Sequence, residues 1–119
     1  NKMINLQGYM KAPNLNDNKI NGTMPYEYSA LTSLTYLNLA NNRLSGSLKL
    51  GKLTNLVDLR IQNNYFSGEL TELSNLLKLS YLDIRNNSFS ATNFSSLNIS
   101  KFVSFIVFWC NCCFFQLKH

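Results

Sequence analysis

Apolar residues recur along this chain in one phrase, L-x-x-L-x-L-x-x-N-x-L. It reads Leu34, Leu37, Leu39, Asn42, Leu44, then Leu56, Leu59, Ile61, Asn64, Phe66, and again Leu79, Leu82, Ile84, Asn87, Phe89. A weaker copy stands before these at Met10, Pro13, Leu15, Asn18 and Ile20. A degenerate one follows at Phe102, Phe105, Val107, Cys110 and Cys112. Successive starts lie 24, 22, 23 and 23 residues apart, a period that belongs to a stacked repeat array. Inside each unit a short stretch such as Tyr36-Leu37-Asn38-Leu39-Ala40 alternates polar and apolar, the period of a half-buried strand. Leu37 and Leu39 are therefore predicted to face inward, with Tyr36, Asn38 and Ala40 facing out. The limb that returns to the next strand carries Leu70, Leu73, Leu76 and Leu79 at every third residue, which predicts a 3-10-like or irregular spiral rather than a long helix.

The phrase also fixes two turn positions. An asparagine directed inward at the end of each strand can satisfy backbone groups that the turn leaves unpaired. One per coil predicts a ladder through Asn18, Asn42, Asn64 and Asn87, with Cys110 in the same slot of the last unit. Two residues after the phrase's last apolar position, Gly22, Gly46 and Gly68 stand where the backbone bends sharply. The expected organisation is a partial N-terminal repeat over 1–9 and a solenoid over 10–101, with units starting near 10, 34, 56 and 79. A degenerate fifth repeat or apolar C-terminal segment then covers 102–119. As a class this is an α/β repeat solenoid, with short parallel strands on the concave face and irregular or 3-10 return limbs.

From about Met10 to Phe102 the chain resembles the plant-specific leucine-rich repeats, whose consensus is L-x-x-L-x-x-L-x-L-x-x-N-x-L-S-G-x-I-P. The likeness is strongest in Leu34 to Leu44-Ser45-Gly46 and Leu56 to Phe66-Ser67-Gly68. It departs where Ser47-Leu48-Lys49 and Glu69-Leu70-Thr71 lack the proline that Pro25 supplies in the first unit, and where Ala91 replaces glycine. These departures weaken the expectation of the family's second sheet. Paired-cysteine caps and kinase motifs are missing. The resemblance implies a recognition module of a receptor-like kinase ectodomain or receptor-like protein. Its expected location is the extracellular face of the plasma membrane or the secreted space. Expected partners are a protein or peptide ligand and a co-receptor. A secreted inhibitor of a cell-wall or pathogen enzyme, and a truncated receptor fragment without independent function, are the alternatives. No charged-then-apolar leader occurs from Asn1 onward.

Projecting the outward strand positions gives columns across the concave sheet. One runs Ala12, Tyr36, Asp58, Tyr81, Ser104; the next Asn14, Asn38, Arg60, Asp83, Ile106; the third Asn16, Ala40, Gln62, Arg85, Phe108. A fourth holds Asp17, Asn41, Asn63, Asn86 and Trp109. The expected contact surface is Tyr36, Asn38, Asp58, Arg60, Gln62, Tyr81, Asp83 and Arg85, since Tyr and Arg anchor protein interfaces most often. Adjacent strands put Arg60 within ion-pairing reach of Asp83. No catalytic residues are expected: Asp58 and Asp83 are an acidic pair only by proximity, beside arginines and with no histidine near.

Eleven Lys and Arg against six Asp and Glu give a net charge of +5, but the basic residues are scattered singly, so nucleic-acid binding is not expected. The three cysteines all fall in Cys110-Asn111-Cys112-Cys113, without metal-site spacing, and neither metal nor cofactor is expected. Sequons for N-glycosylation occur at Asn21, Asn86, Asn93 and Asn98, a number that so Asn- and Ser-rich a chain reaches largely by composition. Last, residues 102–115 are almost wholly apolar, yet shorter than the roughly 20 residues of a membrane span. A terminal coil docking on a further element, the start of a membrane segment giving membrane contact, and an aberrant gene end are the three readings.

Overall fold

The computed structural model describes residues 17–24 and 29–89, together with the backbone of two strands, Ile106–Cys110 and Cys113–Leu117. Met10, Pro13, Asn93 and Asn98 lie outside the described residues. Eight strands occur in chain order: β1 (Asn21–Thr23), β2 (Tyr36–Asn38), β3 (Arg43–Gly46), β4 (Asp58–Arg60), β5 (Tyr65–Phe66), β6 (Tyr81–Asp83), β7 (Ile106–Cys110) and β8 (Cys113–Leu117). They form two sheets, of order β1-β3-β5 and β2-β4-β6-β7-β8. The coils that begin with β2 and β4 thus each give one strand to the concave sheet and then, after the asparagine, one to the second sheet.

In the concave sheet the register is that of the phrase: Tyr36 pairs with Asp58 and Asp58 with Tyr81, while Leu37, Leu59 and Leu82 align between them. Leu37, Leu39, Leu59, Ile61, Leu82 and Ile84 are fully buried, as the period of two requires. The return limbs bury Leu50, Leu53, Leu56, Leu70, Leu73, Leu76 and Leu79 against the same core. Along them five leucine N–H groups donate to the carbonyl three residues earlier, Leu53 to Leu50, Leu56 to Leu53, Leu73 to Leu70, Leu76 to Leu73 and Leu79 to Leu76. In the later limb, Thr71–Asn75 forms a 3-10 helix that carries Leu73. Spacing of three is the 3-10 period, so the same leucine side stays inward with each turn. Among the described residues no α-helix occurs, and no helix is long and apolar enough to cross a membrane.

The second sheet is present despite the missing prolines. Gly22, Gly46 and Gly68 have φ of 89°, 81° and 86°, so glycine supplies the turn in all three coils and proline is not required for it. Strand pairing here is Gly22 with Leu44 and Gly46 with Phe66, staggered by two residues from the alignment of the phrases.

The apolar segment joins the concave sheet rather than forming a helix. β7 runs parallel to β6, as a further coil would, but pairs Ile106 with Leu82 and Val107 with Asp83. The phrase alignment puts Phe105 and Ile106 at those places, so the strand is displaced by one residue. β8 then returns antiparallel to β7, with Cys110 opposite Cys113. Where the earlier coils turn into the second sheet after their asparagine, the chain after Cys110 reverses within the concave sheet.

Candidate functional site

Three strands build the centre of the concave face. Tyr36, Asp58 and Tyr81 occupy one column, and Asn38, Arg60 and Asp83 the next. The Arg60 guanidinium carbon lies 4.6 Å from the Tyr81 ring centroid and 5.8 Å from that of Tyr36, so one cation sits between two aromatic rings. Its own strand holds it from below: Nε donates to Asp58 Oδ1 at 2.9 Å and Nη2 to Asp58 Oδ2 at 3.0 Å. That two-pronged bond is the main reason the Arg60 pKa is raised; burial opposes it, and the charge of Asp58 adds to it. Arg60 is therefore a fixed cation rather than a titrating one.

A second clamp repeats one coil later. Arg85 Nε donates to Asp83 Oδ1 at 2.8 Å and Nη2 to Asp83 Oδ2 at 2.6 Å, while the Arg85 backbone N–H reaches Oδ1 at 3.2 Å. The bond to Asp83 raises the Arg85 pKa, with burial again opposing. These bonds differ from the cross-strand Arg60–Asp83 pair expected from the sequence. Residues i and i+2 point to the same face of a strand, so each arginine folds back along its own strand onto the aspartate two residues before. Asp83 is saturated by Arg85 and is only 1% exposed, against 22% for Asp58. The face is thus locally neutral, with two held arginines and two aromatic rings.

The remaining expected residues lie round this centre. Asn38 Nδ2 donates to the Tyr36 hydroxyl at 3.1 Å, and Asn38 Oδ1 accepts the Ala40 N–H, which fixes the rim beside Tyr36. Gln62, Asn63, Arg85 and Asn86 line an open cavity of about 200 Å³. Gln62 Oε1 is buried there without a hydrogen-bond partner.

Behind the face, the asparagines bind neighbouring coils. Asn42 Oδ1 accepts the N–H groups of Asn18 and Ile20, Asn64 Oδ1 that of Leu44, and Asn87 Oδ1 that of Phe66. Their Nδ2 groups donate to carbonyls: Asn42 to Leu39, Asn64 to Leu39 and Ile61, and Asn87 to Ile61 and Ile84. Asn18, in the first described coil, is exposed. A second asparagine row accompanies them. Asn41, Asn63 and Asn86 all have positive φ, and Asn86 donates to Asn63, which donates to Asn41. The sequence reading missed this bonding, although the repeated Asn-Asn pairs at 41–42, 63–64 and 86–87 were its signal: the first residue suits the left-handed turn and the second the interior.

Comparison with known proteins agrees with this architecture. A family profile described as Leucine Rich Repeat matches residues 33–51 and 78–102. Receptor-like protein 41 of Arabidopsis thaliana is 36% identical over 85 residues, which is 65% of this chain and 10% of the relative. The chain therefore spans about a tenth of the length of such relatives. Among solved structures, the BIR2 ectodomain from Arabidopsis thaliana superposes with a TM-score of 0.62 at 28% identity, over 76% of this chain and 51% of that one. The ectodomain of the Arabidopsis thaliana receptor kinase GASSHO1/SCHENGEN3, in complex with CASPARIAN STRIP INTEGRITY FACTOR 2, shares the fold. Its TM-score is 0.61 at 23% identity, over 77% of this chain and 12% of that one.

Proposed function

The chain belongs to the leucine-rich repeat family, in its plant receptor-like branch, and we propose that it is a non-catalytic recognition module binding a protein or peptide ligand on its concave face. One observation carries this reading: Arg60 held between Tyr36 and Tyr81 and clamped by Asp58. Long side chains lose rotamer freedom when a partner immobilises them, and that loss weakens binding. Here the ion pair and the two rings have ordered the arginine beforehand. Tyr36 and Tyr81 offer large half-buried surfaces with few rotatable bonds, which suits an interface anchor. The solenoid over residues 10–101 carries the face, outside the cell or at the outer surface of the plasma membrane, as part of a longer receptor-like protein.

The test is footprinting of the full-length protein with peptides selected on it from a display library. Amide exchange and side-chain oxidation are compared with and without the selected peptide. Protection is expected at residues 36–38, 58–62 and 81–85. Protection confined to the return limbs, around Lys52 and Lys78, would contradict the reading.

A further inference from the structure

Tyr65 is the second sheet's most exposed aromatic side chain among the described residues, with 60% of its surface open. It lies on β5, immediately before buried Phe66 and one residue after the buried rung Asn64. A ring this open in the middle of an ordered coil is not needed by the core. It lines an open cavity of about 290 Å³ together with Asn63, Asn86 and Ser88. Asn86 and Ser88 are the acceptor and hydroxyl positions of the sequon Asn86-Asn87-Ser88, and both are exposed. Asn86 has φ of 52°, so its side chain leaves from a turn and not from a paired strand. Its Nδ2 donates to Asn63 Oδ1 at 2.7 Å. A carboxamide nitrogen carries two hydrogens, and bonding a sugar to it removes one, so the ladder bond is compatible with modification.

We infer that Asn86 is an N-glycosylation site whose first sugar packs on the ring of Tyr65, on the flank of the solenoid. In the step, Asn86 Nδ2 bonds to the anomeric carbon of an oligosaccharide carried on a lipid pyrophosphate. The carbon–oxygen bond to the pyrophosphate breaks, the lipid pyrophosphate leaves, and one amide proton is lost to the transferring enzyme. The apolar C–H face of a pyranose then covers aromatic surface that would otherwise meet water. Asn21, by contrast, lies inside β1, paired with β3. A glycan drawn toward Tyr65 stands at the edge of the concave face and leaves Tyr36, Arg60 and Tyr81 open. The inference rests on the extracellular reading, because the lipid-linked donor belongs to the secretory route.

The test uses the full-length protein secreted from plant cells, alongside its Ser88→Ala and Tyr65→Ala variants. Enzymatic release of glycans in heavy-oxygen water marks each modified asparagine as a heavier aspartate, read by peptide mass spectrometry. Asn86 is expected to be modified in the parent and in Tyr65→Ala, and unmodified in Ser88→Ala. Amide exchange over residues 63–67 is expected to be about fivefold slower in the glycosylated parent than in unmodified Ser88→Ala, where Asn86 keeps its carboxamide, and this difference should vanish when both also carry Tyr65→Ala. An unmodified Asn86 beside a modified sequon elsewhere would overturn this inference alone. Absence of sugar from every sequon would overturn it together with the extracellular reading. A modified Asn86 whose effect on exchange survives Tyr65→Ala would overturn the packing on Tyr65.

Discussion

Asn64 spends its whole carboxamide on the backbone: Oδ1 accepts from Leu44 at 2.9 Å, and Nδ2 donates to Leu39 at 2.8 Å and Ile61 at 3.2 Å. Water cannot replace it at these buried groups. Asn64→Ala is therefore expected to destabilise the solenoid by about 1–3 kcal/mol, and exposed Asn75→Ala on the return limb by under about 0.5 kcal/mol. Denaturant melts of the two variants check this; equal losses would contradict it. The arginines differ in the same way. Removing Arg85 strands Asp83, which is 1% exposed, whereas removing Arg60 strands the better-hydrated Asp58. Arg85→Ala should thus lower stability by about 2–4 kcal/mol and Arg60→Ala by under about 1 kcal/mol, again read from melts. The rungs Asn42, Asn64 and Asn87 were legible because one residue type recurs at one place per period, whereas Asn18 is exposed and the Cys110 side chain lies outside what is described. The clamps were only half legible. Alternation put Asp58, Arg60, Asp83 and Arg85 on one face, but which arginine serves which aspartate depends on side-chain reach along the strand.

At the level of elements, strand and turn were both written in the period, and the return limb in its every-third leucine. The second sheet was less legible, since the family's proline is missing after Gly46 and Gly68. Positive φ at glycine, which a letter pattern does not display, is what forms it. The two turns should not be equally sensitive. A Cβ at Gly46 would meet Thr23 Cγ2 at 3.0 Å, whereas one at Gly22 meets nothing within 4 Å. Gly22→Ala is expected to cost about 1 kcal/mol from backbone strain alone, and Gly46→Ala about 1 kcal/mol more. Thermal melts that rank them the other way would show that strand β3 does not sit against Thr23. Strand β7 illustrates the limit of reading by alignment. With apolar residues at nearly every position from Phe102 to Phe108, alternation carries little information about register, and β7 pairs one residue away from the phrase.

For the whole molecule, stacking turns a repeated phrase into a continuous surface, and residues that vary between repeats meet on one face. Tyr36, Asp58, Arg60 and Tyr81 come from three different coils, yet they meet because the concave register is uniform. That convergence was legible once the period was known. The flank where Tyr65 and Asn86 line one cavity was not, since it depends on the stagger of the second sheet. Alanine scanning of binding by the full-length protein tests the central claim most directly, with each variant's stability measured in parallel. Tyr36→Ala, Arg60→Ala and Tyr81→Ala are compared with Lys52→Ala and Lys78→Ala on the return limbs; Arg85 is left intact because it supports Asp83. Each concave-face change is expected to weaken binding of the selected peptides by about 1–2 kcal/mol without unfolding the solenoid, and the lysine changes by under about 0.5 kcal/mol. Loss of binding in the lysine variants alone, with the three concave variants at parental affinity, would contradict the account.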